Sequence, residues 1–218
     1  TVEPDTLVPI VPTALVWGAD GIATGWSTQV PCFHPKDVIA HTRDLLRDNE
    51  TPANISPWWR GFQGNVAAEE GAVAVQGKAS VEGNVLTVTE LPIRTWTQKY
   101  KAELERTLVD KKLATAVTEM HTEHTVHFRV KLTVTGVTKL GGLGTTALYK
   151  ELKLETRVSM RNMHLLTETR AIHKFAAASD IAKEHFRSRI ALYGKRLEHE
   201  RARAEAILTK AEEMLRYC

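Results

Sequence analysis

The C-terminal stretch constrains the fold more than any other. From Ser179 to Cys218 the chain runs roughly 40 residues with no proline and a single glycine, Gly194. Ser179 or Asp180 can cap a helix at its start. Ile190, Leu197, Ala204 and Ala211 recur every seven residues, interleaved with Arg201, Leu208 and Leu215. That spacing marks one apolar seam along a helix. A helix this long cannot bury its seam against a small sheet, so it should project and pair with another helix.

The rest of the chain reads as a mixed α+β body on a largely antiparallel sheet. Residues 1–30 carry Pro4, Pro9 and Pro12, which favour extended segments and turns over continuous helix. His34-Pro35-Lys36-Asp37 opens a helix through about Asp48, with Val38, Ile39, Leu45 and Leu46 as its apolar side. Residues 49–58 form a polar connection. Beyond Phe62 the period changes to two: Val73, Val75, Ala79 and Val81 share one face of a predicted strand. Gly83-Asn84 turns into a second strand, Val85–Leu91, which Pro92 ends. Thr95 or Thr97 then caps a helix carrying Tyr100, Leu104 and Leu108 at i, i+4 spacing. Thr125–Thr133 alternates cleanly, Val126, Phe128, Val130 and Leu132 against Thr125, His127, Arg129 and Lys131. Gly136–Gly144 reads as a glycine-rich break, and Leu152–Met160 as a further strand.

With 25% charged and 43% hydrophobic residues, the chain has the composition of an ordinary globular protein. Its 218 residues suffice for one large or two small domains. A formal charge of +3 permits a nucleic-acid partner without arguing for one. Cys32 and Cys218 lie far apart and form no Cys-x-x-Cys pair, which suits reduced thiols in a reducing compartment. No apolar run is long enough to span a bilayer, and Asn54-Ile55-Ser56 matches a glycosylation sequon by chance.

Leu15-Val16-Trp17-Gly18-Ala19-Asp20-Gly21-Ile22-Ala23-Thr24-Gly25-Trp26-Ser27 holds three glycines in eight residues, with Ile22 between them. No Gly-Lys-Ser/Thr follows, so this is not a phosphate-cradling P-loop. Ile22 has two readings: a core residue in a bulged loop, or an apolar wedge pushed outward, as DNA-bending proteins use to open a base step. His121, His124 and His127 look like metal ligands. In an extended chain, however, residue 124 points away from the other two, and a polar face without metal is the simpler reading. Glu69-Glu70 and Glu212-Glu213 read as solvated surface, not acid–base pairs. Ser27 and Thr24 have no evident base to make a nucleophile. Lys36, Arg43, Arg60, Arg94, Lys99 and Lys101 are singly surface charge; together they can track phosphates. Trp96 and Tyr100, one helical turn apart, read as core.

Val11-Pro12-Thr13-Ala14-Leu15-Val16, followed by Gly18-Ala19-Asp20-Gly21-Ile22 and Thr24-Gly25-Trp26-Ser27, resembles the signature of eukaryotic-type DNA topoisomerase II. The likeness extends to Glu3-Pro4 and Val8-Pro9-Ile10 before it. After it come Pro57-Trp58-Trp59-Arg60-Gly61-Phe62-Gln63-Gly64, Glu90-Leu91-Pro92-Ile93-Arg94-Thr95-Trp96-Thr97-Gln98-Lys99-Tyr100-Lys101, His121-Thr122-Glu123 with Thr125-Val126, and Tyr193-Gly194-Lys195-Arg196. Trp17 stands where that family usually has Asn, and Ala23 where it usually has Gly.

The resemblance implies a division into the end of a winged-helix region (residues 1–30), a tower domain (31–175) and the first arm of a coiled coil (176–218). It makes Ile22 the DNA-intercalating wedge, in a DNA-binding loop that includes Gly18, Gly21, Ala23, Thr24 and Gly25. Lys36, Arg60, Arg94, Lys99 and Lys101 become candidate phosphate contacts. The implied partner is double-stranded DNA, in a homodimeric full-length enzyme that uses Mg²⁺ and ATP, with a nuclear or organellar location. Tyr100, Tyr149, Tyr193 and Tyr217 do not sit in the family's cleavage motif. This chain, read as a piece of a longer protein, is therefore expected to carry no catalytic residue, metal or cofactor of its own. A different class of reading is a non-catalytic α+β scaffold that dimerises through its long helix.

Overall fold

The computed structural model describes residue 3, residues 7–48 and residues 52–217. Pro4, Cys218 and residues 49–51 of the polar connection therefore lie outside the described residues. The chain forms two compact units: Thr1–Ile55 with Asn162–Cys218 make the first, and the intervening Ser56–Arg161 make the second. Every strand pairing among the described residues is antiparallel. The α+β class and the long C-terminal helix stand, but the strands form four small sheets, not one.

In the first unit, a short helix α1 (Thr13–Trp17) precedes a hairpin of β1 (Ala19–Ala23) and β2 (Trp26–Val30). The proline-punctuated start thus holds one helical turn, entered from Pro12, whose carbonyl accepts from the Leu15 amide at 3.0 Å. Helix α2 (Pro35–Leu46) begins where the sequence signals it, with His34 Nδ1 accepting from the Lys36 amide and Pro35 in the first turn. Its inward side differs from the expected one. Val38 and His41 are buried, while Ile39 and Leu46 are exposed. At 3.6 residues per turn Val38, His41 and Leu45 fall within an arc of about 60°, and Ile39 and Leu46 stand roughly 80–100° away. His41 Nδ1 lies 2.6 Å from the Ala53 carbonyl oxygen, to which it donates.

The same unit resumes with a second hairpin, β10 (Met163–Leu166) and β11 (Ile172–Phe175), and ends in α6 (Ala178–Tyr217). Of the two expected caps, Asp180 is the one that acts: it reaches back, its Oδ2 accepting from the Ala177 amide at 3.1 Å. Leu15, Phe33, Val38, Met163, Phe175 and Ile181 are buried here. From Tyr193 onward the residues of α6 are exposed, including Leu197, Leu208 and Leu215.

The second unit holds a three-stranded sheet of β3 (Asn65–Glu69), β4 (Ala72–Gln76) and β9 (Glu155–Ser159), in the order β3-β4-β9. Its four-stranded sheet contains β5 (Lys78–Glu82), β6 (Val85–Glu90), β7 (Ala114–Glu119) and β8 (Phe128–Leu132), in the order β5-β6-β8-β7. The single strand expected over 73–81 is split at Gly77, so its two halves join different sheets. A Cβ at Gly77 would collide with the Glu90 carbonyl oxygen, and the Gly77 amide donates to the Leu154 carbonyl at 2.9 Å. β8 keeps the expected alternation, with Phe128, Val130 and Leu132 buried.

Helix α3 (Thr97–Leu104) runs into a π-helical turn at Glu105–Val109 and buries Tyr100, Leu104 and Leu108. The Tyr100 hydroxyl donates to the Leu152 carbonyl at 3.1 Å, and burial pushes the phenol's pKa up. Neither Thr95 nor Thr97 caps α3; Trp96 stands at the cap without a side-chain bond. The glycine-rich break is instead two helices, α4 (Val134–Gly141) and α5 (Thr145–Glu151). Thr133 caps α4 by accepting from the Gly136 amide at 3.1 Å. Gly136 is there for space, since a Cβ would meet the Leu113 carbonyl oxygen. Glu103 accepts from Lys153 and from Arg106, and these bonds lower its carboxyl pKa to about 2.

Candidate nucleic-acid interface

The segment from Gly18 to Val30 is a tight hairpin, not a bulged loop. Registered pairs run from Ala19↔Val30 through Ile22↔Ser27 to Ala23↔Trp26, leaving Thr24-Gly25 as a two-residue turn. Gly25 takes φ 79°, a conformation glycine supplies without strain. Gly18, at φ 73°, sits so close to the returning strand that a Cβ would lie 2.8 Å from the Val30 oxygen. The Cys32 thiol donates to the Trp17 carbonyl at 3.1 Å, tying the base of the hairpin together.

Ile22 projects one residue before the apex pair and is 92% exposed. The core reading of this residue therefore fails within this structure. Ala23 occupies its strand position opposite Trp26, and Trp17 is exposed.

What holds this hairpin in place did not show in the sequence. The Gln29 amide donates to the Asn162 carbonyl at 2.7 Å, and Asn162 Nδ2 donates to Ser27 Oγ at 2.8 Å. The His164 amide donates to Thr28 Oγ1 at 3.2 Å, and the His164 ring meets Trp26 edge-on at 5.6 Å. The second hairpin thus buttresses the first. Its signal is faint: two four-residue strands around a turn in which the Thr167 amide reaches the Ala171 carbonyl and Arg170 takes φ 61°. Four residues give too little alternation to separate a strand from a loop.

Of the candidate phosphate contacts, Lys36 shares a unit with Ile22 and is exposed at the start of α2. Arg60, Arg94, Lys99 and Lys101 belong to the second unit. Arg60, Arg94 and Lys99 are exposed there. Lys101 instead forms an ion pair with Glu119 at 2.9 Å, and that hydrogen bond raises its pKa. Trp96 is 79% exposed, which corrects its placement in the core, whereas Tyr100 is core as expected.

The three histidines are not strung on an extended chain. The backbone bends at Thr122–Thr125, and His121 Nδ1 accepts from the His127 amide at 2.9 Å across the bend. The other ring nitrogen of His121 lies 3.7 Å from Glu119, and the ring packs edge-on against Phe128. Among the described residues no three His, Cys, Asp or Glu side chains converge as a metal site. Arg157 pairs with Glu69 at 3.1 Å, so that carboxylate too has a structural partner. No helix of the described residues is long and apolar enough to cross a membrane.

The DNA gyrase/topoisomerase IV family model matches residues 1–218. The chain belongs to this family. Among its relatives, "DNA topoisomerase 2" of Bombyx mori is 32% identical over 99% of this chain and 14% of its own length. "DNA topoisomerase 2, mitochondrial" of Dictyostelium discoideum is 33% identical over 91% of the chain and 15% of its length. The chain thus spans about a seventh of these curated relatives. A crystal structure of the Plasmodium falciparum topoisomerase II DNA-binding, cleavage and re-ligation domain superposes with a TM-score of 0.83. It is 29% identical, over 91% of this chain and 27% of that one. The gyrase/topoisomerase IV likeness therefore covers both units and the α+β architecture.

Proposed function

We propose that this chain is the DNA-holding and DNA-bending part of a type IIA DNA topoisomerase. The observation that carries this reading is Ile22, almost wholly exposed beside the apex of a braced hairpin in a chain of this family. A stiff apolar side chain presented in this way suits insertion between base pairs, which kinks the duplex. Backbone amides and cations, Lys36 in the first unit and Arg60, Arg94 and Lys99 in the second, hold the phosphates without reading sequence. Lys101 is a weaker candidate because Glu119 already neutralises it.

In the full-length enzyme, a homodimer, one duplex passes through a transient double-strand break in another at the expense of ATP. Residues 1–30 end its winged-helix region, 31–175 form its tower, and 176–218 begin its coiled coil. Mg²⁺ and ATP belong to that enzyme. Among the described residues no three His, Cys, Asp or Glu side chains are grouped to hold a metal ion. The chain by itself is expected neither to cleave nor to relax DNA. We place the full-length enzyme in the nucleus or an organelle that holds DNA; one relative, the Dictyostelium protein, is called mitochondrial.

The test is Ile22→Ala in the full-length enzyme. Bending of a duplex, read by fluorescence transfer between its ends, should fall while the melting temperature holds, because an exposed side chain leaves no cavity. Unchanged bending would remove the wedge. A buried isoleucine would instead cost about 2–5 kcal/mol of stability.

A further inference from the structure

We propose that the hairpin β10–β11 is a second DNA-contacting element, whose Leu166 and Ile172, with Trp26, pack against the groove wall beside the step that Ile22 opens. The inference rests on the wedge reading above and extends it to residues that reading does not use.

Ile22, Trp26, Leu166 and Ile172 all line one shallow recess of about 320 Å³, together with Gly21 and His164. All four large side chains are exposed, Leu166 by 68% and Ile172 by 47%. Soluble proteins seldom leave such side chains contiguous unless something covers them. In the hairpin register Leu166 pairs with Ile172 and His164 with Lys174. Side chains opposite one another lie on the same face of the ribbon, so an apolar tip stands above an imidazole and a lysine. The other face is the inward one, with Met163 and Phe175 buried.

Charge and anchoring favour duplex DNA as the occupant. The recess lining contains no carboxylate. Glu168, in the turn between the strands, is bonded to Ser188 Oγ at 3.1 Å. Hydrogen bonds from Gln29, Asn162 and His164 lock the two hairpins together. Whatever receives Ile22 therefore meets Leu166 and Ile172 as well. Inside a kinked duplex the neighbours of the opened step are deoxyribose edges, apolar surfaces that such side chains can cover.

The experiment compares three full-length enzymes: wild type, Ile22→Ala, and the pair Leu166→Ser with Ile172→Thr. Duplex affinity and bending by fluorescence transfer are read alongside melting temperature. The paired variant should melt like wild type, lose roughly tenfold in affinity and bend a smaller fraction of duplexes. If it fails to fold, Leu166→Ala alone supplies the measurement. Wild-type affinity and bending in the Leu166 variants, while Ile22→Ala lowers bending, overturn the second contact and leave the ridge to a protein partner or a second copy. Wild-type bending in Ile22→Ala overturns the wedge, and this inference with it.

Discussion

Gly18 and Gly21 stand three residues apart in the same motif and do different work. A side chain at Gly18 meets the Val30 oxygen and the Cys32 sulfur at 2.8 and 3.0 Å, at a φ of 73°. A side chain at Gly21 meets nothing within 4 Å. Gly18→Ala should therefore destabilise the fold by about 1–3 kcal/mol, and Gly21→Ala much less. Denaturant melts of both variants check this; equal losses would mean that the hairpin base is not the strained point. Sequence alone marks this stretch as special, because three glycines around a β-branched residue are an odd choice for a core strand. It does not tell the glycines apart, since their neighbours come from residues 30 and 32. Trp96 shows the opposite failure. A tryptophan one turn from a buried tyrosine looks like core, but it stands at the cap position, outside the inward arc of α3.

Among the elements, α6 is the most legible, because a long uninterrupted heptad pattern needs no partner to be recognised. Its boundaries fall within a residue or two of the reading from sequence. The seam that makes it legible remains uncovered: Leu197, Leu208 and Leu215 are all exposed. The 218-residue polypeptide should accordingly self-associate with rising concentration through this helix. Sedimentation velocity across a hundredfold range tests it; a strict monomer whose helix resists hydrogen exchange out to Tyr217 would contradict it. Where the sequence misleads, backbone contact is the cause. Gly77 divides one apparent strand between two sheets, and Gly136 turns an apparent break into a packed helix, because each glycine lies against a distant carbonyl. Periodicity records which face is apolar and is silent on which backbone passes behind it.

For the whole molecule, the α+β class can be read from alternation and helix signals, whereas the division into two units cannot. The first unit draws on both ends of the chain, with the second between them in sequence, and no composition shift marks Ile55 or Asn162. The candidate interface is legible as far as Ile22, through the motif, and not as far as Leu166, whose strand is too short to announce itself. A molecule that grips duplex DNA by its phosphates and deforms it, without reading bases, has a simple signature in salt. Such binding releases counterions, so the logarithm of the affinity should fall linearly and steeply with the logarithm of salt concentration. The most direct test is one salt titration of the 218-residue polypeptide against two duplexes of unrelated sequence. The expected result is the same steep negative slope for both, at nearly equal affinity. A flat salt dependence, or a strong preference for one sequence, would contradict phosphate-tracking binding.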